Sequence, residues 1–378
     1  MQTPEAGHES LPNTVRMLVS REKSRYTSID ARKVGRGRFF TEKSTWLLPQ
    51  VLAFIRKVRP RSIVDPFAGR GDLLRVIGVV GKWRLFGYDI HRELGWHFSD
   101  SLIRVPRHKG ALVLTNPPFL AKHSAKRKRV WPYVQKYFGA NPHRNDLYQI
   151  ALDRCREAVR FVVAIVPETF INSDYKKDCL FSITILENNP FSDTDCPVCI
   201  VCFDGIPKTS DRILVYKDTE LVGTLADIEA ARLRPCHYVA IRFNDPKGRI
   251  GLRAVDLADP SKPIQFMRRS ELNYDLKRIK HSSRLVTFVE IPDLRNSEVP
   301  YLVAAANEEL SKFRCATSDL ALSPFKGNTK GGQRRRRLDY QAARVILEKA
   351  LARVGYKGAV QASLVLSPFV SRCDGAAQ

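Results

Sequence analysis

Two short segments constrain this 378-residue chain more than anything else in it. They are Asp65-Pro66-Phe67-Ala68-Gly69-Arg70-Gly71 and, 51 residues from Asp65, Asn116-Pro117-Pro118-Phe119. An apolar run precedes each: Ser62-Ile63-Val64 before the first and Ala111-Leu112-Val113-Leu114 before the second. Apolar runs of this length, bounded by turn residues, read as buried parallel strands. In an open α/β sheet, ligands bind outside the carboxyl ends of the strands. Both segments therefore stand where a ligand would be held.

The rest of the chain agrees with such a sheet. Strands are expected at 62–65, 84–89, 111–115, 161–166, 182–186 and 197–203, with helical or loop stretches at 72–80, 146–159 and 173–180. Ser44 is a candidate cap for a helix whose stripe is Leu47, Leu48, Val51, Leu52, Phe54 and Ile55. Alternating strands and helices predict an α/β, doubly wound sheet. It should end near Asp204-Gly205. Past that point short strand-like runs recur at 213–216, 238–241, 250–252 and 285–289, and two helices follow. The last helix has Asp339 as its cap and Ala343, Ile346, Leu347, Ala350, Leu351 and Val354 on one face. The expected organisation is a polar arm over 1–34, the α/β domain over 35–205, and a mixed α+β domain over 206–378.

The formal net charge is +24. It is shared, with +13 over residues 1–204 and +11 over 205–378, so both halves could face one polyanion. No run of 18 apolar residues occurs, so no membrane helix is expected. The start, Met1-Gln2-Thr3-Pro4-Glu5, lacks the pattern of a secretory leader. Eight cysteines in a chain of this length point to a reducing compartment, so a cytoplasmic location is expected. Cys196, Cys199 and Cys202 are spaced as C-x-x-C-x-x-C. On a strand, however, Cys199 points away from the other two, which favours small buried residues over a zinc site.

Gly69 and Gly71 let the backbone turn sharply and approach a ligand. The segment lacks the third glycine of the dinucleotide fingerprint and has no G-K-[ST] sequence. Asp65 and Asp72 beside it would repel phosphate. Asp89 ends the next strand, 18 residues past Gly71, where an acid commonly takes ribose hydroxyls. Each acid could instead be a helix cap or a surface charge. Taken together, the acids suit a cationic, phosphate-free nucleoside, and S-adenosylmethionine is such a ligand.

Asn-Pro-Pro-Phe could be an ordinary turn. At a strand end downstream of the glycine loop it has a chemical use. The exocyclic amine of a base is a poor nucleophile because its lone pair is delocalised into the ring. The Asn116 side-chain oxygen and the Pro117 carbonyl can accept its N–H groups and draw the nitrogen toward tetrahedral geometry. The two prolines fix that turn, and Phe119 offers a face for the base to stack on. A base in a duplex must be flipped out to reach it.

At these residues the chain resembles the amino-group DNA methyltransferases, above all the adenine-N6 enzymes of restriction–modification systems. The resemblance covers roughly residues 35–205. It implies a Rossmann-like methyltransferase sheet followed by a target-recognition domain over 206–378. It also implies S-adenosylmethionine as cofactor and no metal. Asp65 to Gly71 looks like the family's first cofactor motif, including Phe67 and Ala68, and Asn116, Pro117, Pro118 and Phe119 look like its catalytic motif. Gly37-Arg38-Phe39-Phe40-Thr41 resembles the motif that precedes them, whose Phe40 and Thr41 would contact the methionine part; Glu42 stands where the family usually has proline. Asp89, with Ile90, matches the ribose acid. Asp100, with Ser101, is similar to the residue that holds the adenine amine. Asp146-Leu147-Tyr148-Gln149 and Ile165-Val166-Pro167 resemble later pocket motifs. The implied partners are double-stranded DNA and a cognate restriction endonuclease, with a monomer sufficient on DNA.

Two basic runs are candidate phosphate contacts. Lys122, Lys126, Arg127, Lys128 and Arg129 begin three residues past Phe119, as a cationic loop at the mouth of the proposed pocket. Arg334, Arg335, Arg336 and Arg337 follow a glycine-rich stretch and could hold the DNA backbone or read guanine. Either run could also be a solvated surface. Cytosine-N4 methylation uses the same geometry as the adenine reaction. An RNA guanine-N2 methyltransferase and a nucleic-acid-binding protein with a vestigial fold are the other readings.

Overall fold

The structure is a computed structural model that describes residues 41, 44–191, 194–272 and 285–356. Phe40 and the arm over 1–34 lie outside the described residues. The chain divides into two compact units, Met1–Leu221 and Val222–Gln378.

In the first unit a 3-10 turn at Ser44–Trp46 leads into helix α1, Pro49–Val58. Leu48, not Ser44, is the residue before this helix, and no side chain caps it. Pro49 opens it without cost, because an N–H in the first turn has no intrahelical acceptor. The core elements then follow in order: β1 Ser62–Asp65, α2 Asp72–Val80, β2 Arg84–Asp89, β3 His97–Phe98 and β4 Ala111–Thr115. Next come α3 Lys122–Arg127, α4 Trp131–Ala140, α5 Leu147–Ala158, β5 Phe161–Pro167, β6 Leu180–Ile185 and β7 Val198–Phe203. Strand β8 Leu214–Lys217 follows, and β9 Glu220–Thr224, the last strand of the sheet, runs across the division after Leu221.

The strand order is β3-β2-β1-β4-β5-β7-β6-β8-β9. Strands β1, β2, β3, β4 and β5 pair in parallel, and β7 runs antiparallel between β5 and β6. Every residue of β1, β4 and β7 is buried, as expected for central strands covered on both faces. Cys199 and Cys202 are among them. The chain leaves β1 toward β2 on one side and later returns to β4 on the other. The carboxyl ends of β1 and β4 thus flank the switch point, where a crevice must open.

Two differences from the sequence reading have simple causes. Ile213–Tyr216 reads as the start of the second region, but β8 pairs in parallel with β6, and the units divide after Leu221. Which strand a run will pair with is not written in the run itself. The expected cationic loop after Phe119 is helix α3, and α4 follows it unforeseen. Pro132 stands in the first turn of α4, where a proline breaks nothing.

The second unit holds helix α6 Leu225–Ala230 and strands β10 Arg242–Phe243, β11 Ile250–Arg253, β12 Gln265–Arg268 and β13 Val286–Glu290. These strands form an antiparallel sheet in the order β10-β13-β11-β12. Helix α7 Val299–Ala316, the hairpin β14 Ser323–Asn328 with β15 Arg334–Arg337, and helix α8 Tyr340–Arg353 follow. Asp339 caps α8 as expected, accepting from Ala342 N at 2.9 Å. Leu302, Ala306, Phe313, Ile346 and Leu347 pack with Leu252, Phe266 and Val289 into one core.

Candidate active site

Strand β1 ends in Asp65, and the turn after it is built by glycine. Gly69 and Gly71 both adopt positive φ, 53° and 78°. A Cβ on Gly71 would stand 2.6 Å from Cζ2 of Trp96, so this position is closed to a side chain on two counts. Trp96 also ties the loop down, its indole N–H donating to Gly69 O at 2.8 Å.

Asp89 closes β2 and holds the same loop from the other side. One carboxylate oxygen accepts from Gly69 N at 3.0 Å and the other from His91 N at 2.9 Å. Each oxygen retains acceptor capacity for a ligand hydroxyl.

Asp65 is buried under the loop. It accepts from the Phe67 backbone N–H at 3.0 Å and from the Thr115 hydroxyl at 2.7 Å. Thr115 ends β4 and directly precedes Asn116, so one carboxylate joins the glycine loop to the Asn-Pro-Pro turn. Burial pushes the Asp65 carboxyl up to about 7, and Asp89 and Asp72 add to the rise. Asp146, the cap of α5, performs a similar service below the turn. It accepts from Leu120 N at 2.8 Å, and burial pushes it up to about 7 as well.

These two acids make a pH prediction. A carboxyl raised from 3.8 to about 7 in the fold keeps a proton that the unfolded chain has released. Its extra stability is fully present below pH 3.8 and is lost as pH rises through about 7. Denaturant unfolding of the ligand-free protein should therefore show stability falling across this window, and Asp65→Asn should flatten part of that slope. A slope of opposite sign, unaltered by the substitution, would refute the assignment.

Asn116 follows β4, and its amide N–H₂ donates to the Thr41 hydroxyl at 3.0 Å. A cavity of about 350 Å³ opens in front of it. Of the residues singled out in the sequence, Thr41, Asp65, Phe67, Ala68, Gly69, Asp89, Ile90, Asp100, Ser101, Asn116 and Pro118 line this cavity. Gly71 and Pro117 are not among its lining residues. Nor is Phe119, which is 7% exposed with its ring 5.9 Å from that of Phe191 and tilted by 48°.

Helix α4 supplies wall residues that the sequence reading did not include: Tyr133, Val134, Lys136 and Tyr137. Their spacing puts them on one helical face, but the stretch carries no motif that would single them out. Besides the buried Asp65, the wall carries three carboxylates, Asp72, Asp89 and Asp100, and two cations, Arg70 and Lys136, in a chain of net charge +24. This acidic lining fits a cationic nucleoside without phosphates. The volume lies within the range of small-molecule pockets.

The basic runs differ from one another. Lys126, Arg127, Lys128 and Arg129 are exposed on and just after α3. The run Arg334–Arg337 is strand β15, and its side chains alternate. Arg334 and Arg336 are 5% and 1% exposed, which corrects the expectation that all four face a nucleic acid. A strand of period two buries every second residue. Arg335 and Arg337 are half-buried, and Arg335 donates to Asp256 O at 2.7 Å.

A glycine-turned β1 loop, an acid closing β2 and a switch point between β1 and β4 now stand on one sheet, with β7 antiparallel. The fold is a Rossmann-like, doubly wound α/β sheet. Solved structures similar to the chain include the methyltransferase subunit of a type I restriction–modification system from Streptococcus thermophilus, at 15% identity, TM-score 0.33 and 50% coverage of each chain. The M protein of the type I restriction enzyme EcoKI matches at 13% identity, TM-score 0.29, and 84% and 72% coverage of this chain and that one. TrmN from Thermus thermophilus matches at 14% identity, TM-score 0.27, and 40% and 47% coverage. The chain spans about half the length of the type I subunits that it matches first. No protein-family model and no curated protein matches it. The fold assignment rests on this chain's own strand order. Among the described residues, no helix is long and apolar enough to cross a membrane.

Proposed function

We propose that this chain transfers a methyl group from S-adenosylmethionine to N6 of a flipped-out adenine in double-stranded DNA, as the modification enzyme of a restriction–modification system. One observation carries the reading: the Asp65 loop, Asp89, Asp100 and Asn116 converge on a single acidic cavity at the carboxyl ends of β1, β2 and β4. When bound, S-adenosylmethionine supplies an electrophilic methyl group on a sulfonium. Asp89 would take its ribose hydroxyls, Asp100 its adenine amine, and Thr41 with the Gly69 turn its methionine part.

The reaction needs no covalent enzyme intermediate. With its N–H₂ turned to Thr41, Asn116 presents its amide oxygen as an acceptor. That oxygen and the Pro117 carbonyl accept the two N–H groups of the target amine and favour the pyramidal nitrogen of the transition state. Residues 222–378 would select the target sequence, with Arg335 and Arg337 as candidate contacts. The enzyme would act in the cytoplasm, as a monomer on DNA, beside a cognate endonuclease.

The test is to incubate the protein with methyl-labelled S-adenosylmethionine and either unmethylated DNA or total RNA, then identify the labelled nucleoside. N6-methyladenine in DNA supports the reading. N4-methylcytosine changes the base, and label in RNA alone overturns the substrate. Cofactor binding without transfer to either points to a missing partner, and no cofactor binding removes the enzyme reading.

The exposed cations on and just after α3 make a separate prediction. Alanine at Lys126, Arg127, Lys128 and Arg129 should weaken DNA binding and reduce the salt slope, by about 0.9 for each phosphate no longer neutralised. Unchanged affinity and slope would remove this segment from the interface.

A further inference from the structure

At one end of the cavity a small polar device is built entirely from the loop after β3 and from α4. Asp100 accepts from the Tyr137 hydroxyl at 2.8 Å and from Lys136 Nζ at 3.1 Å. Both bonds land on the same oxygen, Oδ2. Among the described residues no side chain or backbone N–H donates to Oδ1. Asp100 and Tyr137 both line the cavity.

The two donors are not equivalent. Lys136 is more than half exposed, and water screens its pair with Asp100. Tyr137 is 8% exposed and sits in an apolar cluster with Leu102, Leu120, Val134 and Leu147. Leu102, two residues past Asp100, anchors the acid's loop in the cluster that anchors the tyrosine. Burial and the adjoining carboxylate push the phenol above its usual range, so it stays a donor at any working pH.

A carboxylate on a loop can turn about its χ angles and present either oxygen, or neither, to a ligand. Binding Oδ2 from a rigid helix removes that freedom and leaves Oδ1 as the acceptor. A preset acceptor selects a ligand with a donor opposite it, because a carbonyl placed there would meet a carboxylate lone pair. We propose that Tyr137 is a positioning residue that presets Asp100 as an acceptor for the exocyclic amine of a purine nucleoside, so that α4 confers selectivity for a 6-amino over a 6-oxo ligand. The inference rests on the cofactor reading given above.

Calorimetry with two probes tests it: S-adenosylhomocysteine and its 6-oxo counterpart, S-inosylhomocysteine. The unaltered protein should prefer the adenosyl probe by about tenfold or more. Tyr137→Phe keeps the ring and the packing but loses the hydroxyl. It should weaken the adenosyl probe about tenfold, leave the inosyl probe nearly unchanged and so abolish the preference. Leu102→Ala, a packing control, should weaken both probes alike, and thermal melting establishes that each variant is folded. If Tyr137→Phe weakens both probes equally, or neither, the inference is wrong while the cofactor reading stands. If the unaltered protein binds neither probe, both are wrong.

Discussion

Replacing Asn116 with alanine is expected to lower kcat for methyl transfer by about 10²–10³-fold, with cofactor affinity nearly unchanged. The amide stands at the carboxyl end of β4 and its N–H₂ is turned to Thr41, so the group removed is the acceptor for the target amine. An interaction made chiefly as the nitrogen becomes pyramidal shows in kcat rather than in ground-state binding. The Gly69 turn is held by Asp89 and Trp96, and the substitution leaves both in place. Single-turnover rates with labelled cofactor, alongside calorimetric binding, separate the two effects. A variant that transfers methyl at the original rate would move the chemistry away from Asn116.

Asp89→Ala should do the reverse. Its carboxylate holds two backbone N–H groups across the glycine turn and is the candidate ribose acceptor. Both functions disappear together. Affinity for S-adenosylmethionine should fall by about 100-fold, near 2.7 kcal/mol. The unliganded protein should also lose about 1–3 kcal/mol, because two backbone donors are left without their charged acceptor. Asp89→Asn, which keeps one acceptor oxygen, should fall between the two. Titration calorimetry and denaturant unfolding read the two losses separately. Cofactor affinity unchanged in Asp89→Ala would place the nucleoside elsewhere.

Much of the first unit was legible in the sequence, for a physical reason. Strands β1, β2 and β4 are short apolar or alternating runs bounded by Gly, Pro, Asp or Asn, and their limits follow from those residues. Helix α2 begins at Asp72, right after the glycine turn that forces its start. Helices α3 and α4 were not legible. One carries a charge run that reads as solvated loop, and the other starts after Val130, with no side chain capping it. The run Arg334–Arg337 shows the limit most plainly. Four like residues have no pattern of their own, and only pairing with β14 decides which two are buried.

The kinds of group at the site follow from residue identity and order. An Asp–Gly turn, a second acid after the next strand and an Asn-Pro-Pro turn each carry their chemistry locally, because backbone freedom and side-chain acceptors belong to single residues. How these groups act came from the packing of distant segments. It turned Asp65 from a ligand acid at the loop into a buried brace between two motifs, because Thr115 comes to it from a neighbouring strand. It set the ring of Phe119 5.9 Å from that of Phe191, 72 residues on. It brought Tyr137 to Asp100 across 37 residues of chain. Such meetings depend on which strands pair and which helix faces close over them, and no local run of residues encodes either.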